Sequence, residues 1–238
     1  MKFYTAFFRN IFLIALFASI PLLLMNCENK NSPALSDNDD KKFPESGEEA
    51  LQWLLEGNKR FVDGKSQHRR EGAEWRANLT KTQQPFATVL GCSDSRVPIE
   101  LLFDQGFGDL FIIRVAGNVV GPDEKGSIAY AAAHLHTPLI LVLGHEGCGA
   151  VTAAMLPDSI RAQEPVFLQE LLTHIDPAVE NIDTNLLKTE RVHQGVEANV
   201  RWSIAQLAER FRPHPEYQDL FIAGAVYELD TGMVRVIQ

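Results

Sequence analysis

Cysteine is scarce in this chain: Cys27, Cys92 and Cys148 are the three it has among 238 residues. Three thiols cannot build a disulfide framework, and an odd number leaves at least one of them another task. Positive charge is scarce too, with 22 Lys and Arg against 31 Asp and Glu, a formal net charge of −9. No basic cluster exceeds two or three residues, so a nucleic-acid backbone would meet repulsion, and that class of partner is excluded. Internal repeats are missing. No Gly-Lys-Ser/Thr follows a glycine-rich turn, and Gly106-Phe107-Gly108 lacks the third glycine of a dinucleotide loop. With 45% apolar and 22% charged residues, the chain is an ordinary globular protein, not disordered, collagenous or coiled-coil. Its length suits one generous domain or two tight ones, at roughly 100–200 residues each.

The first segment stands apart from the globular part. Lys2 and Arg9 are its only charges, and Ile11–Met25 is an apolar run without any. A short basic start before such a run is the layout of a secretory signal. The run is shorter than the ~20 residues that span a bilayer, which weighs against an uncleaved anchor. Leu24-Met25-Asn26-Cys27 resembles a bacterial lipobox, with Leu24 in its expected place and Asn26 departing from the small residue usual before the cysteine. The expectation is therefore a signal peptide over 1–26 and a lipid on Cys27 as the new N-terminus. Such a protein sits on the periplasmic side of a bacterial membrane, anchored by the lipid or simply exported. Glu28–Pro44 is polar and has too little apolar surface to offset the entropy of ordering it, so 27–45 reads as a flexible tether. Loss of 1–26 leaves 20 basic against 31 acidic side chains.

From Ser46 onward the chain reads as one domain, 46–238. Ser46-Gly47-Glu48-Glu49 has capping-box spacing and precedes an apolar stripe of helical period, Ala50, Leu51, Leu54, Leu55 and Phe61, which predicts a helix over 47–61. Residues 69–82 are polar, a mixture of loop and short helix. Four short apolar runs follow, at 86–90, 110–113, 139–143 and 221–227. Continuous rather than alternating apolarity fits strands buried on both faces of a parallel sheet. Helix-compatible stretches lie between them at 126–136, 148–155, 166–174 and 192–211. The end reads as a strand, an Asp230-Thr231-Gly232 turn and an antiparallel edge strand. The fold class is α/β: a mostly parallel central sheet of four strands with an antiparallel C-terminal edge strand, flanked by helices.

Two segments carry the chemistry. Cys92-Ser93-Asp94-Ser95-Arg96 follows the first strand, and His145-Glu146-Gly147-Cys148-Gly149 follows the third. In open α/β sheets ligands sit beyond the carboxyl ends of the strands, so adjacent strands would bring both segments together. Cys92, His145 and Cys148 then offer two thiolates and an imidazole, a donor set suited to zinc, with one coordination position left open. Asp94 and Arg96, two apart on one loop, can pair so that the carboxylate stays ionised. Taken singly these residues are weak signals, since a lone buried cysteine is usually a small hydrophobe.

Together they resemble the β-class carbonic anhydrases. The resemblance runs on through Glu56-Gly57-Asn58-Lys59-Arg60-Phe61, Arg114-Val115-Ala116-Gly117-Asn118, Ala223–Tyr227 and Thr231-Gly232, leaving only 1–45 outside it. It implies a zinc lyase, one Zn2+ per subunit, that interconverts CO2 and bicarbonate with Cys92, His145 and Cys148 as ligands. Hydroxide on the metal would attack CO2, with Asp94 accepting its hydrogen bond and Arg96 holding Asp94 off the metal. Gln83 stands where the family places an amide donor to the substrate oxygen, and Phe111 and Tyr130 match its apolar pocket wall. The family's closed resting form has a tryptophan three residues before the first ligand. Val89 occupies that place, so an open site is expected. The resemblance also implies that the long N-terminal helix packs on a partner subunit, in a homodimer or a tetramer. Relatives of this fold that hydrolyse carbon disulfide or carbonyl sulfide keep a second substrate class open. A non-catalytic zinc or dithiol module built on Cys92 and Cys148 is the reading from another class.

Overall fold

The structure, a computed structural model, describes residues 43–237. The expected signal segment, Cys27 and nearly all of the tether lie outside the described residues. Two of the last three residues expected in the tether, Phe43 and Pro44, are packed instead. Pro44 is buried, the Phe43 ring stands 6.2 Å from that of Phe86, and the Arg70 guanidinium lies 4.8 Å over Phe43. One aromatic residue next to a helix cap is enough to dock the chain where polar composition alone suggests a leash.

In chain order the elements are helices α1 (Gly47–Val62) and α2 (Ala73–Asn78), strand β1 (Ala87–Gly91), α3 (Ile99–Leu102), β2 (Leu110–Arg114), α4 (Pro122–His134) and β3 (Leu139–His145). Then come α5 (Gly149–Ala154), α6 (Asp158–Arg161), α7 (Val166–Leu172), α8 (Asp176–Val179), the long α9 (Lys188–Phe211), β4 (Phe221–Tyr227) and β5 (Val234–Ile237). The strands form one sheet in the order β2-β1-β3-β4-β5, with β5 antiparallel to β4 and the other neighbours parallel. This is the expected α/β architecture. Among the described residues no helix is long and apolar enough to cross a membrane.

Side chains alternate across a strand, so continuous apolarity splits into two cores. Leu90, Ile140 and Val142 point to one face, where α4, α5 and α9 contribute Ile128, Val151, Val196 and Val200. Val89, Leu139, Leu141 and Leu143 point to the other, against Ala50 and Leu54 of α1 and Ile99 and Leu102 of α3. α1 starts as its capping box requires, the Glu49 N–H donating to Ser46 Oγ at 3.1 Å. Its buried Asn58 fastens it to two other elements. Nδ2 donates to the carbonyls of Leu102 and Gly232, and Oδ1 accepts from the Val234 N–H at 2.8 Å.

Helix ends differ from the sequence expectation in ways with local causes. α4 starts at Pro122 rather than 126, because proline fits the first helical position and Glu124 accepts the Gly121 N–H as a cap. It ends at His134, and His136 has a left-handed φ of 55°. α9 starts at Lys188 rather than 192, and the single turn α3 lies in a stretch with no predicted helix. One short helix, α2, is the helical part of the polar 69–82 segment.

Candidate metal centre

β1 and β3 are neighbours, with Gly91 level with Leu143. Cys92 therefore leaves the sheet beside the end of β3, where His145 is the last strand residue and Cys148 caps α5. The donor atoms of Cys92, His145 and Cys148 lie within 4.8 Å of one another, and all three residues are buried. Both cysteines are free thiols. The two sulfurs compete for protons in a confined space. Cys92 lies far below the ordinary thiol range, first because it accepts a hydrogen bond from Cys148 and further because the Gly117 N–H donates to it, against the penalty of burial. Cys148, the donor of that pair and itself buried, is pushed up.

His145 Nδ1 lies 2.9 Å from the carbonyl of Glu146, which can only accept, so Nδ1 carries a proton and Nε2 is the nitrogen free to serve as a ligand. That Nε2 is buried and has no hydrogen-bond partner. A buried polar atom left unsatisfied calls for an explanation. A lone pair beside two thiols, with the other ring nitrogen anchored on a carbonyl, is the arrangement that holds zinc. The residues present therefore fit that ion, and two thiolates would neutralise its charge.

Asp94 is the charged group next to this tripod. Arg96 grips both its oxygens, Nε on Oδ1 at 2.9 Å and Nη2 on Oδ2 at 2.7 Å, and the Arg96 N–H also donates to Oδ1 at 2.9 Å. These bonds hold the carboxyl well below the usual carboxylate range, the Arg96 side chain contributing most and partial burial opposing. Asp94 Oδ2 stands 3.8 Å from His145 Nε2, near the tripod yet beyond hydrogen-bond reach.

Four further residues build the frame, and the sequence reading assigns none of them a role. Arg114, at the end of β2, donates to the carbonyls of Cys92 at 3.0 Å and Asp94 at 2.7 Å and so braces the loop from below. Gly117 donates its N–H to Cys92 Sγ at 3.3 Å. Asn199 of α9 donates to the Gly117 carbonyl at 2.7 Å. Glu146 ties the ligand loop to β4, its N–H on the Tyr227 carbonyl and its carboxylate accepting from the Leu229 N–H. Arg114, Gly117 and Glu146 lie in segments that carry the resemblance or the ligand motif, whereas Asn199 has no sequence signal.

The structure brings five of the expected residues together: Cys92, Asp94, Arg96, His145 and Cys148. Phe111 on β2 and Tyr130 on α4 meet each other, ring centroids 6.2 Å apart, and Tyr130 also stacks near His134 at 5.1 Å. Gln83 is exposed in the loop between α2 and β1. The cavity of 830 Å³ between α4 and α9, lined in part by Trp202, Phe211 and Tyr217, contains none of these groups.

The chain is similar to known proteins in sequence and in fold. The sequence profile of the family described as "Carbonic anhydrase" matches residues 87–234. The chain is 41% identical over 188 residues to a carbonic anhydrase of Mycolicibacterium smegmatis, covering 77% of this chain and 89% of the relative. It is 38% identical over 182 residues to carbonic anhydrase 2 of Mycobacterium tuberculosis, covering 75% and 87%. The solved β-carbonic anhydrase CafA of Aspergillus fumigatus superposes with a TM-score of 0.64 at 25% identity, over 79% of this chain and 91% of that one. With the profile spanning well over half of the chain, and with a matching fold, this protein belongs to the β-class carbonic anhydrase family.

Proposed function

We propose that this protein catalyses the reversible hydration of carbon dioxide to bicarbonate and a proton, with zinc as its resident ion. The carrying observation is a buried Cys2His tripod with an ionised carboxylate clasped beside it. Cys92 Sγ, His145 Nε2 and Cys148 Sγ would hold the ion, and a three-residue donor set leaves a position open, as catalytic zinc sites do. Zinc bound there supplies the Lewis acidity that makes water a nucleophile near neutral pH.

The chain's own residues do the rest. Asp94 is ionised and can only accept, so it takes the hydrogen bond of the attacking O–H and fixes its orientation. Arg96 occupies both carboxylate oxygens and in this reading keeps Asp94 off the ion, in keeping with the open site that Val89 in place of tryptophan implies. Phe111 and Tyr130 offer an aromatic wall suited to an apolar gas, and Gln83 is the amide donor to the substrate oxygen in this reading.

Two features of the whole protein belong to the same proposal. Leu51, Trp53 and Leu55 pack at the edge of the core that Ala50 and Leu54 enter and keep part of their surface exposed on α1, and this apolar surface suits a second copy. We place the protein in a homodimer, or a tetramer built from it; light scattering of a fully active monomer would contradict this. The N-terminal segment supports export and a lipid on Cys27, which puts the enzyme on the periplasmic side of its membrane.

Metal analysis together with stopped-flow kinetics tests the central claim. One zinc per chain and rapid CO2 hydration are expected. Metal-free protein, or zinc-loaded protein that hydrolyses carbon disulfide and leaves CO2 alone, would refute it.

A further inference from the structure

α9 crosses the sheet on the side of the ligands, and two of its buried polar residues point at one turn. Asn199 and Ser203 are each 1% exposed. Asn199 Nδ2 donates to the carbonyl of Gly117, and Ser203 Oγ donates to the carbonyl of Asn118 at 3.2 Å. The turn they grip, Ala116–Asn118, has two consecutive residues in the left-handed region, Gly117 at φ 68° and Asn118 at φ 44°. Asparagine tolerates that region and glycine prefers it, but a chain without outside support samples it only among alternatives. A side chain on Gly117 would stand 2.8 Å from Ile175 Cδ1, so the turn is also closed in from behind.

The amide of Asn199 is expensive where it sits. Its Oδ1 is buried and has no partner, an orphan that an apolar residue of similar size would remove, at the cost of leaving the Gly117 carbonyl unpaired. The orientation is unambiguous, because Gly117 offers an acceptor and only Nδ2 can answer it. The single bond from Nδ2 is therefore what this buried amide provides. That bond has a direct chemical consequence, since the other polar group of Gly117, its N–H, ends on Cys92 Sγ.

We propose that Asn199 is a positioning residue of the metal site: by holding the Gly117 carbonyl it fixes the turn so that the Gly117 N–H points at the sulfur of Cys92. The inference rests on the zinc reading given above and adds a layer to it. An N–H donor draws charge off a thiolate and orients its lone pairs. In a site where two thiolates already neutralise a dication, this keeps the ion more electron-poor than the ligand set alone would allow. α9 thereby reaches the metal through a carbonyl, a turn and a backbone amide, without touching it.

Cobalt(II) in place of zinc reads this directly in the full-length protein, because the thiolate-to-cobalt charge-transfer band reports how strongly sulfur donates. In Asn199→Ala the band moves to lower energy, and because the turn no longer fixes the Cys92 sulfur in place, zinc passes to a chelator about 10–100-fold faster than from wild type, the range typical of lost outer-shell partners. Asn199→Ser leaves room for a water between its hydroxyl and the Gly117 carbonyl, and recovers part of both effects. Ser203→Ala loses a bond to the same turn at Asn118 and leaves band and release rate as in wild type. If the Asn199 variants lose only thermal stability while band and zinc release stay unchanged, or if neither folds, Asn199 is a structural staple and the proposal is wrong. A wild-type protein that takes up neither metal would instead overturn the zinc reading itself.

Discussion

Asp94 gives both carboxylate oxygens to one guanidinium, and single-residue experiments can read the consequences. Asp94→Asn preserves shape but removes the charge and turns one acceptor into a donor facing Arg96. CO2 hydration should fall by about 10–100-fold with zinc content unchanged, because Asp94 orients and does not ligate. Parallel loss of zinc would make it a ligand. The pairing also has a pH signature. A carboxylate whose folded pKa is depressed adds stability above its unfolded value, ~3.9, and loses it as pH falls toward its own lower value. Melting curves of wild type and Asp94→Asn should thus differ by a constant amount from about pH 8 to about pH 5, and the gap should close below roughly pH 4. A gap that widens toward acid would contradict the ion pair. The residues that enter these arguments were readable in the sequence because each acts through its side chain within five positions of a buried strand's end. Gly117 was not, since it acts through a backbone N–H that every residue but proline has. Asn199 was not either, lying 82 positions from the carbonyl it holds, a separation that only the packing of α9 closes.

At the scale of elements, strand identity was legible, as were the limits of the capped α1, while the starts of α4 and α9 were not, for different physical reasons. β1 and β3 are buried along their whole length, so burial on both faces writes an unbroken apolar run. Helix ends depend on a few caps and on tertiary contacts, so α4 and α9 each extend four residues beyond their apolar periodicity. α1 shows how far an element depends on contacts that no periodicity encodes. Its Asn58 satisfies three backbone groups on two other segments, the α3 end and the β4–β5 connection. Asn58→Ala would leave them buried and unpaired, at about 1–3 kcal/mol for each group that water cannot reach. A drop of at least about 3 kcal/mol in chemical denaturation is expected, with the zinc site intact in whatever remains folded. A change under about 1 kcal/mol would mean that water replaces the amide and that α1 is held by its apolar face alone. Gly57, one residue earlier, serves the same junction differently. A Cβ there would fall 1.8 Å from the Phe103 carbonyl oxygen, so the helix can approach α3 this closely only with glycine at the crossing.

The whole molecule combines an acidic catalytic domain with an N-terminal segment of another character, and the division of its three cysteines follows that boundary. Cys92 and Cys148 meet at the ends of neighbouring strands, while Cys27 precedes a polar stretch that leads to Phe43, where the packed domain begins. With 20 basic against 31 acidic side chains after residue 26, the domain is repelled by an anionic bilayer and cannot attach by charge. The proposed attachment is then hydrophobic and local to the N-terminus, through a lipid on Cys27 or through the apolar run Ile11–Met25 kept in place. Cys27→Ser separates these. If the lipid is the anchor, high salt fails to release the wild type from membranes, Cys27→Ser abolishes the lipid-modified N-terminal peptide in mass spectrometry, and the protein no longer carries a lipid to hold it. Activity per zinc stays the same, because no described contact of the metal centre depends on residues before Phe43. If Cys27→Ser remains membrane-bound with its first residues intact in the wild type as well, the apolar run is the anchor. A variant that loses activity in proportion to its membrane binding would mean that the bilayer takes part in assembling the active form, and the independence of anchor and catalyst argued from the fold would be wrong.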